Sequence, residues 1–93
     1  MKSLDIERSA RILKAMGNEK RLDILYYLLD GELNVGELEK LVKLSQSALS
    51  QHLAVLRAED IVKTRREAQT IYYSIKNPQV LKILDLLNSF YKG

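Results

Sequence analysis

Ninety-three residues, 46% apolar and 29% charged, describe one compact domain spanning 1–93, too small for a two-domain enzyme and too apolar for a disordered tail. The absence of cysteine excludes disulfides, thiolate metal sites and thiol redox chemistry. The net charge is +3, and the excess sits late: residues 43–75 carry five basic and three acidic groups, 76–93 three and one, and 1–42 seven and eight.

That distribution suits a polyanionic partner met by the later half of the chain. The start, MKSLDIERSARILKAM, is interrupted by charges throughout, and no apolar run is long enough to span a bilayer. A cytoplasmic protein with no membrane association is expected.

Ser3 is placed to cap a first helix of about a dozen residues, with Asp5 and Glu7 in its first turn, where the helix dipole favours them. Its apolar positions are Ile6, Ala10 and Leu13, flanked by Ile12 and Met16, and Gly17-Asn18 stops it. Asn18 then caps a second helix, EKRLDILYYLLD, apolar around most of its circumference and therefore the central core helix, ended by Gly31.

The next start signal is more complete. Asn34 as N-cap places Glu37 at the third helical position, and Leu33 and Leu38 fall where a hydrophobic staple puts them, giving a short helix to about Val42. The same grammar repeats at once with Ser45 as cap and Leu44 and Leu49 as the staple pair. A short helix, a tight turn and a helix of about a dozen residues is the helix-turn-helix pattern.

From Ile61 the sequence changes to β-branched and aromatic runs, IVKTRR and TIYYSI, separated by Glu67 to Gln69, which predicts a β-hairpin. Asn77-Pro78 is a cap and first-turn pair for a last helix, PQVLKILDLLNSFYKG. The expected fold is mainly α with a small β-hairpin: a winged helix-turn-helix of order ααααββα.

Placed on a helix, residues 45–57 separate into two faces. Leu49, Leu53 and Leu56 form the core stripe, while Gln46, Ser47, Ser50, Gln51, Ala54 and Arg57 gather opposite. Hydroxyl and amide groups can donate to and accept from base edges, and a small Ala54 permits close approach or touches a thymine methyl. Ser47, Ser50, Gln51 and Ala54 are the expected base-facing set, with Gln46 and Arg57 at phosphate-facing margins. His52 lies about 60° from the Leu49 stripe and is expected to be half-buried and hydrogen-bonded. On the hairpin, Arg65, Arg66, Gln69 and Thr70 fit a wing reaching DNA backbone or minor groove.

Together the strings LKAMGNEKRLDILYYLL, GELNVGELEKLVKLSQSALSQHLAVLR and IVKTRREAQTIYYSI make the chain resemble the ArsR/SmtB family of small winged-helix transcriptional repressors. It is most similar to the branch holding the hemolysin regulator of vibrios, the persulfide-sensing repressors and the rhizobial nodulation repressor. The resemblance implies a homodimer built from the first and last helices, with the two 45–57 helices entering successive major grooves of an imperfect palindrome in double-stranded DNA. Ile6, Ala10, Leu13, Leu84, Leu87 and Tyr91 are the interface candidates. The apolar stripe of the last helix, from Val80 through Tyr91, is wider than one small domain can cover, which independently supports a dimer.

The departures from the family bear on switching. Asn34 and Gly36 stand where metal-sensing members carry cysteines, and Glu39 and Lys92 stand at about the positions of the persulfide-sensing pair. Asp85 matches one zinc ligand used by other members on the last helix, but that helix has no histidine. No metal and no cofactor is expected, and the effector is not specified by the sequence. Asp60 replaces a frequent glycine and Lys20 a frequent proline; Asp tolerates the left-handed conformation such a glycine supplies. The alternative reading is a dimeric protein-interaction module, or mixed-dimer modulator, without specific DNA binding. Catalysis would need reactive groups gathered in a pocket, and the single histidine sits on a helix already assigned, so no enzyme is expected.

Overall fold

The computed structural model describes residues 4–92. Five helices and three strands follow in the order α1 (Ile6–Met16), α2 (Glu19–Leu28), β1 (Leu33–Asn34), α3 (Val35–Val42), α4 (Gln46–Ala58), β2 (Val62–Glu67), β3 (Thr70–Ile75) and α5 (Pro78–Ser89). Neighbours in the antiparallel sheet run β1-β3-β2.

Local capping chemistry explains most of the boundaries. Asn18 accepts from the backbone N–H of Lys20 and Arg21 and opens α2. Asn34 and Glu37 form a reciprocal capping box at α3, with both bonds at 2.9 Å. Ser45 accepts from Ala48 N–H at α4, and Asn77 from Gln79 N–H with Pro78 in the first turn of α5. At α1 the expectation needs correction: Asp5, not Ser3, is the N-cap, accepting from Arg8 N–H at 3.0 Å. Ser3 lies outside the described residues.

The two-residue strand β1 was not expected from the sequence. Leu33 pairs with Tyr73 and Asn34 with Tyr72, so the segment entering α3 zips onto the hairpin and makes the sheet three-stranded. A segment this short carries no alternation of its own and becomes a strand only because β3 lies beside it. The hairpin turn is also tighter than the sequence suggests. Glu67 pairs with Thr70, leaving Ala68 and Gln69 as a two-residue loop. Ala68 takes the left-handed conformation there at φ 54°, as do Lys43 at the end of α3 (φ 54°) and Asp60 before β2 (φ 58°).

The core is apolar throughout: Ile24, Leu25 and Leu28 of α2, Leu38 and Val42 of α3, Leu49, Leu53 and Leu56 of α4, Ile61 and Val62 at the start of the hairpin, and Val80 and Leu84 of α5. Each large side chain buried this way contributes roughly 1.5–3 kcal/mol relative to exposure. α2 touches α1, α3, α4 and β3 and is the central post, as its apolar circumference predicts. By contrast Leu4, Ile6, Leu13, Tyr26, Leu86, Phe90 and Tyr91 are all more than half exposed, leaving apolar surface on α1, α2 and α5 and on the residues just before α1 and just after α5, which ends at Ser89 rather than running on through Tyr91. No helix among the described residues is long and apolar enough to cross a membrane.

Candidate nucleic-acid interface

The α3–α4 turn fixes the proposed reading helix. Lys43 in the left-handed conformation reverses the chain after Val42, Ser45 caps the new helix, and the burial of Leu49, Leu53 and Leu56 sets its rotation. Gln46, Ser47, Ser50, Gln51, Ala54 and Arg57 are consequently all exposed. Ser50 and His52 lie about 100° to either side of Gln51 by helical geometry, so α4 has a central ridge and two flanks.

One flank faces the wing. Gln46 and Ser50 share an open cleft of about 500 Å³ with Gln69, Thr70, Ile71 and Tyr73 of the hairpin and with Asn34, Val35 and Gly36 at the start of α3. An adjoining cleft of about 380 Å³ brings Ser50, Ala54, Arg57 and Ala58 against Val35 and Tyr73. The tertiary structure thus places four of the sequence-predicted polar residues, Gln46 and Ser50 from α4 and Gln69 and Thr70 from the wing tip, along the first of these clefts, and Arg57 along the second. Sequence reasoning missed the apolar and aromatic residues that line these clefts from outside α4: Val35, Ile71 and Tyr73. Alternation along TIYYSI puts Ile71, Tyr73 and Ile75 on one side of the strand, and that period was the available signal.

The other flank meets α1 and α2. His52 is half-buried, and Arg21 donates from Nη1 to His52 Nδ1 at 3.3 Å. Guanidinium can only donate, so Nδ1 accepts and the ring proton is on Nε2. Burial and then the neighbouring Arg21 charge push the His52 pKa down from its ordinary value. Arg21 also donates through Nε to the Ala15 carbonyl and through Nη2 to that of Lys14, at the end of α1. A structural histidine, rather than a metal ligand or catalytic base, fits these contacts. Among the described residues no three His, Cys, Asp or Glu side chains cluster as a metal site would require.

The two wing arginines part company. Strand alternation puts Arg66, paired with Ile71, on the sheet face that also carries Tyr73 and the buried Val62, whereas Arg65, paired with Tyr72, is on the opposite face. Arg65 donates from Nε to Glu32 Oε2 at 3.1 Å and from Nη2 to Glu32 Oε1, and from Nη1 to Glu67 Oε2 at 3.0 Å. Its guanidinium carbon sits 4.5 Å from the centre of the Tyr72 ring. These hydrogen bonds hold the Glu32 carboxyl below its usual range and raise Arg65 further still. Among the described residues Arg66 pairs with no carboxylate.

The candidates for subunit contact divide as well. Ile6, Ala10, Leu13 and Tyr91 are exposed and Leu87 is half-buried. Leu84 is only 7% exposed within the single chain, so it belongs first to the protomer's own core, where it packs with Val80 and presents only an edge. Helical spacing alone cannot tell which part of an over-wide stripe the chain covers by itself.

Residues 18–64 match the family described as bacterial regulatory protein, arsR family. Nodulation protein NolR of Rhizobium meliloti is 56% identical over 87 residues, covering 94% of this chain and 71% of that protein. Transcriptional activator HlyU of Vibrio cholerae is 55% identical over 80 residues, covering 86% of this chain and 74% of the relative. The structure of HlyU superimposes with a TM-score of 0.90 over 97% of this chain and 98% of that one, at 49% identity. A homodimeric winged helix-turn-helix DNA-binding domain, Mb0332 of Mycobacterium bovis, superimposes with a TM-score of 0.84 over 91% and 79% of the two chains, at 29% identity. Fold, sequence and the paired α3–α4 unit agree: the chain belongs to the arsR family of bacterial regulatory proteins.

Proposed function

We propose that this protein is a homodimeric, sequence-specific DNA-binding transcriptional regulator that acts as a repressor in the cytoplasm, reading an imperfect palindrome with α4 in the major groove and the β2–β3 wing alongside. The observation that carries this reading is the depression shared by Gln46 and Ser50 of α4 with Gln69 and Thr70 of the wing. Ser47, Ser50, Gln51 and Ala54 serve base edges, Gln46 and Arg57 serve phosphate at the margins, and Arg66 near the wing tip supplies a cation that pairs with no carboxylate among the described residues. Family membership supports regulation of transcription rather than catalysis. A small domain that occupies a promoter already blocks access to it, which favours repression.

The exposed apolar surface of α1, of α5 and of the turn that follows it supports the dimer, with Ile6 69%, Leu13 57%, Leu86 57% and Tyr91 84% exposed in the single chain. The homodimeric assembly of Mb0332 supports it independently. Without cysteine, any effector acts by chemistry other than thiolate switching. The alternative, an interaction module without specific DNA binding, would fit an acidic face on α4; residues 46–58 contain no carboxylate.

Selection of preferred sites from a randomised duplex library, followed by gel shift, tests the reading. Enrichment of a palindrome is expected; uniform weak binding to all duplexes overturns sequence specificity.

A further inference from the structure

Resting on the DNA-binding reading above, we propose that Arg65 and Glu32 are positioning residues that fix the wing against the α2–α3 connection, and that Arg66 alone of the wing arginines contacts phosphate. Three of the five guanidinium N–H groups of Arg65 are taken by carboxylates, and the Tyr72 ring covers one face. Arg65, Glu32 and Glu67 together carry one net negative charge, so a phosphate approaching this face meets repulsion.

The location of the contact explains its purpose. Tyr72 pairs with Asn34 on one side and Arg65 on the other, in the last row where three strands lie abreast. Beyond that row only Arg66–Ile71, Glu67–Thr70 and the Ala68-Gln69 turn project. A bare two-stranded ribbon twists and pivots readily. Arg65 reaches across Tyr72 and clamps the ribbon at its point of emergence. Its anchor, Glu32, is followed directly by Leu33, which zips β1 to β3, and by Asn34, which caps α3. Three consecutive residues therefore tie the wing, the sheet and the helix-turn-helix into one body. This sets the height of Arg66, Gln69 and Thr70 relative to Gln46 and Ser50.

A fixed height matters only when wing and α4 must engage the same site together. Loosening the clamp should weaken binding to a preferred site and leave binding to arbitrary duplex nearly unchanged, since single contacts suffice there. A phosphate contact behaves differently: its loss weakens binding to every duplex and lowers the salt slope by about one for each phosphate released.

The test uses the 93-residue chain, with a duplex selected from the randomised library and a scrambled duplex of the same composition as probes. Affinity is measured over a range of salt for wild type, Glu32→Gln, Arg65→Ala, Arg65→Lys and Arg66→Ala. Each variant is first shown to be folded by circular dichroism. Expected are a roughly three- to tenfold loss on the selected duplex for Glu32→Gln and Arg65→Ala, with the salt slope unchanged, and no further loss in the double variant. Arg65→Lys should fail to rescue, because lysine keeps the charge but loses the bidentate fork. Arg66→Ala should weaken both duplexes and lower the slope. If Arg65→Ala lowers the slope as Arg66→Ala does and lysine restores it, or if Glu32→Gln tightens binding, the positioning role is overturned while the DNA reading stands. A wild-type protein that prefers no duplex overturns the DNA reading itself, and this proposal with it.

Discussion

Arg21 donates to His52 Nδ1 at 3.3 Å while its Nε binds the Ala15 carbonyl, so one side chain at the start of α2 joins the end of α1 to the flank of the reading helix. Protonating His52 would put an N–H opposite the guanidinium and remove the acceptor. Burial of the ring first, and then the Arg21 charge beside it, hold the His52 pKa below its ordinary value, so the folded state resists protonation. Below the ordinary imidazole pKa the unfolded chain binds the proton first, so stability from this contact is full above that pH and is lost as pH falls through the folded value. Denaturant unfolding at a series of pH values from neutral to mildly acid should show a drop in wild type that is shallower in His52→Gln. Equal slopes in the two proteins would remove His52 from the account.

The capping box at α3 stabilises the first helix of the helix-turn-helix. Asn34→Ala leaves the Glu37 N–H without its 2.9 Å partner and should cost about 0.5–2 kcal/mol, read from denaturant midpoints at fixed protein concentration. Glu37→Ala removes the reciprocal bond to Asn34 N–H and should cost less than the cap itself.

Gln51 stands at the crest of α4, exposed, with the amide that can pair bidentately with a base. Gln51→Ala should lose about 1–3 kcal/mol of discrimination at one base position in each half-site while leaving the salt slope unchanged. Repeating the library selection with the variant reads this directly as a relaxed position. A uniform loss at every position would assign Gln51 a structural role.

Leu13 is 57% exposed on α1. Leu13→Asp should shift the protein toward monomer in sedimentation at micromolar concentration without reducing helix content, because the side chain is outside the protomer core. Loss of helix content in the monomer itself would mean that Leu13 supports the single chain.

The hairpin turn is built without glycine. Ala68 holds φ 54°, where a Cβ is disfavoured, so Ala68→Gly should raise stability by about 0.5–1 kcal/mol despite the added freedom of the unfolded chain. Thermal unfolding checks the sign, and no change in midpoint would indicate that Ala68 carries little strain.

Much of this protein was written locally. Asn18, Asn34, Ser45 and Asn77 open the four helices the sequence assigns to them, because a cap is a bond between residues two or three apart and needs no distant partner. The period of Leu49, Leu53 and Leu56 determined which side of α4 is free, since burying that stripe leaves one face outward whatever it packs against. What tertiary structure decided was everything that depends on chains meeting. The strand Leu33–Asn34 exists only beside β3, and Leu84 is covered only because α5 lies on the core. Arg65 and Arg66, neighbours in sequence and equal in charge, are separated by the pleat of β2. One turns to Glu32, 33 residues away, and the other is left unpaired among the described residues. Sequence fixes the alternation that parts them; only the folded chain brings the carboxylate that claims one of the two.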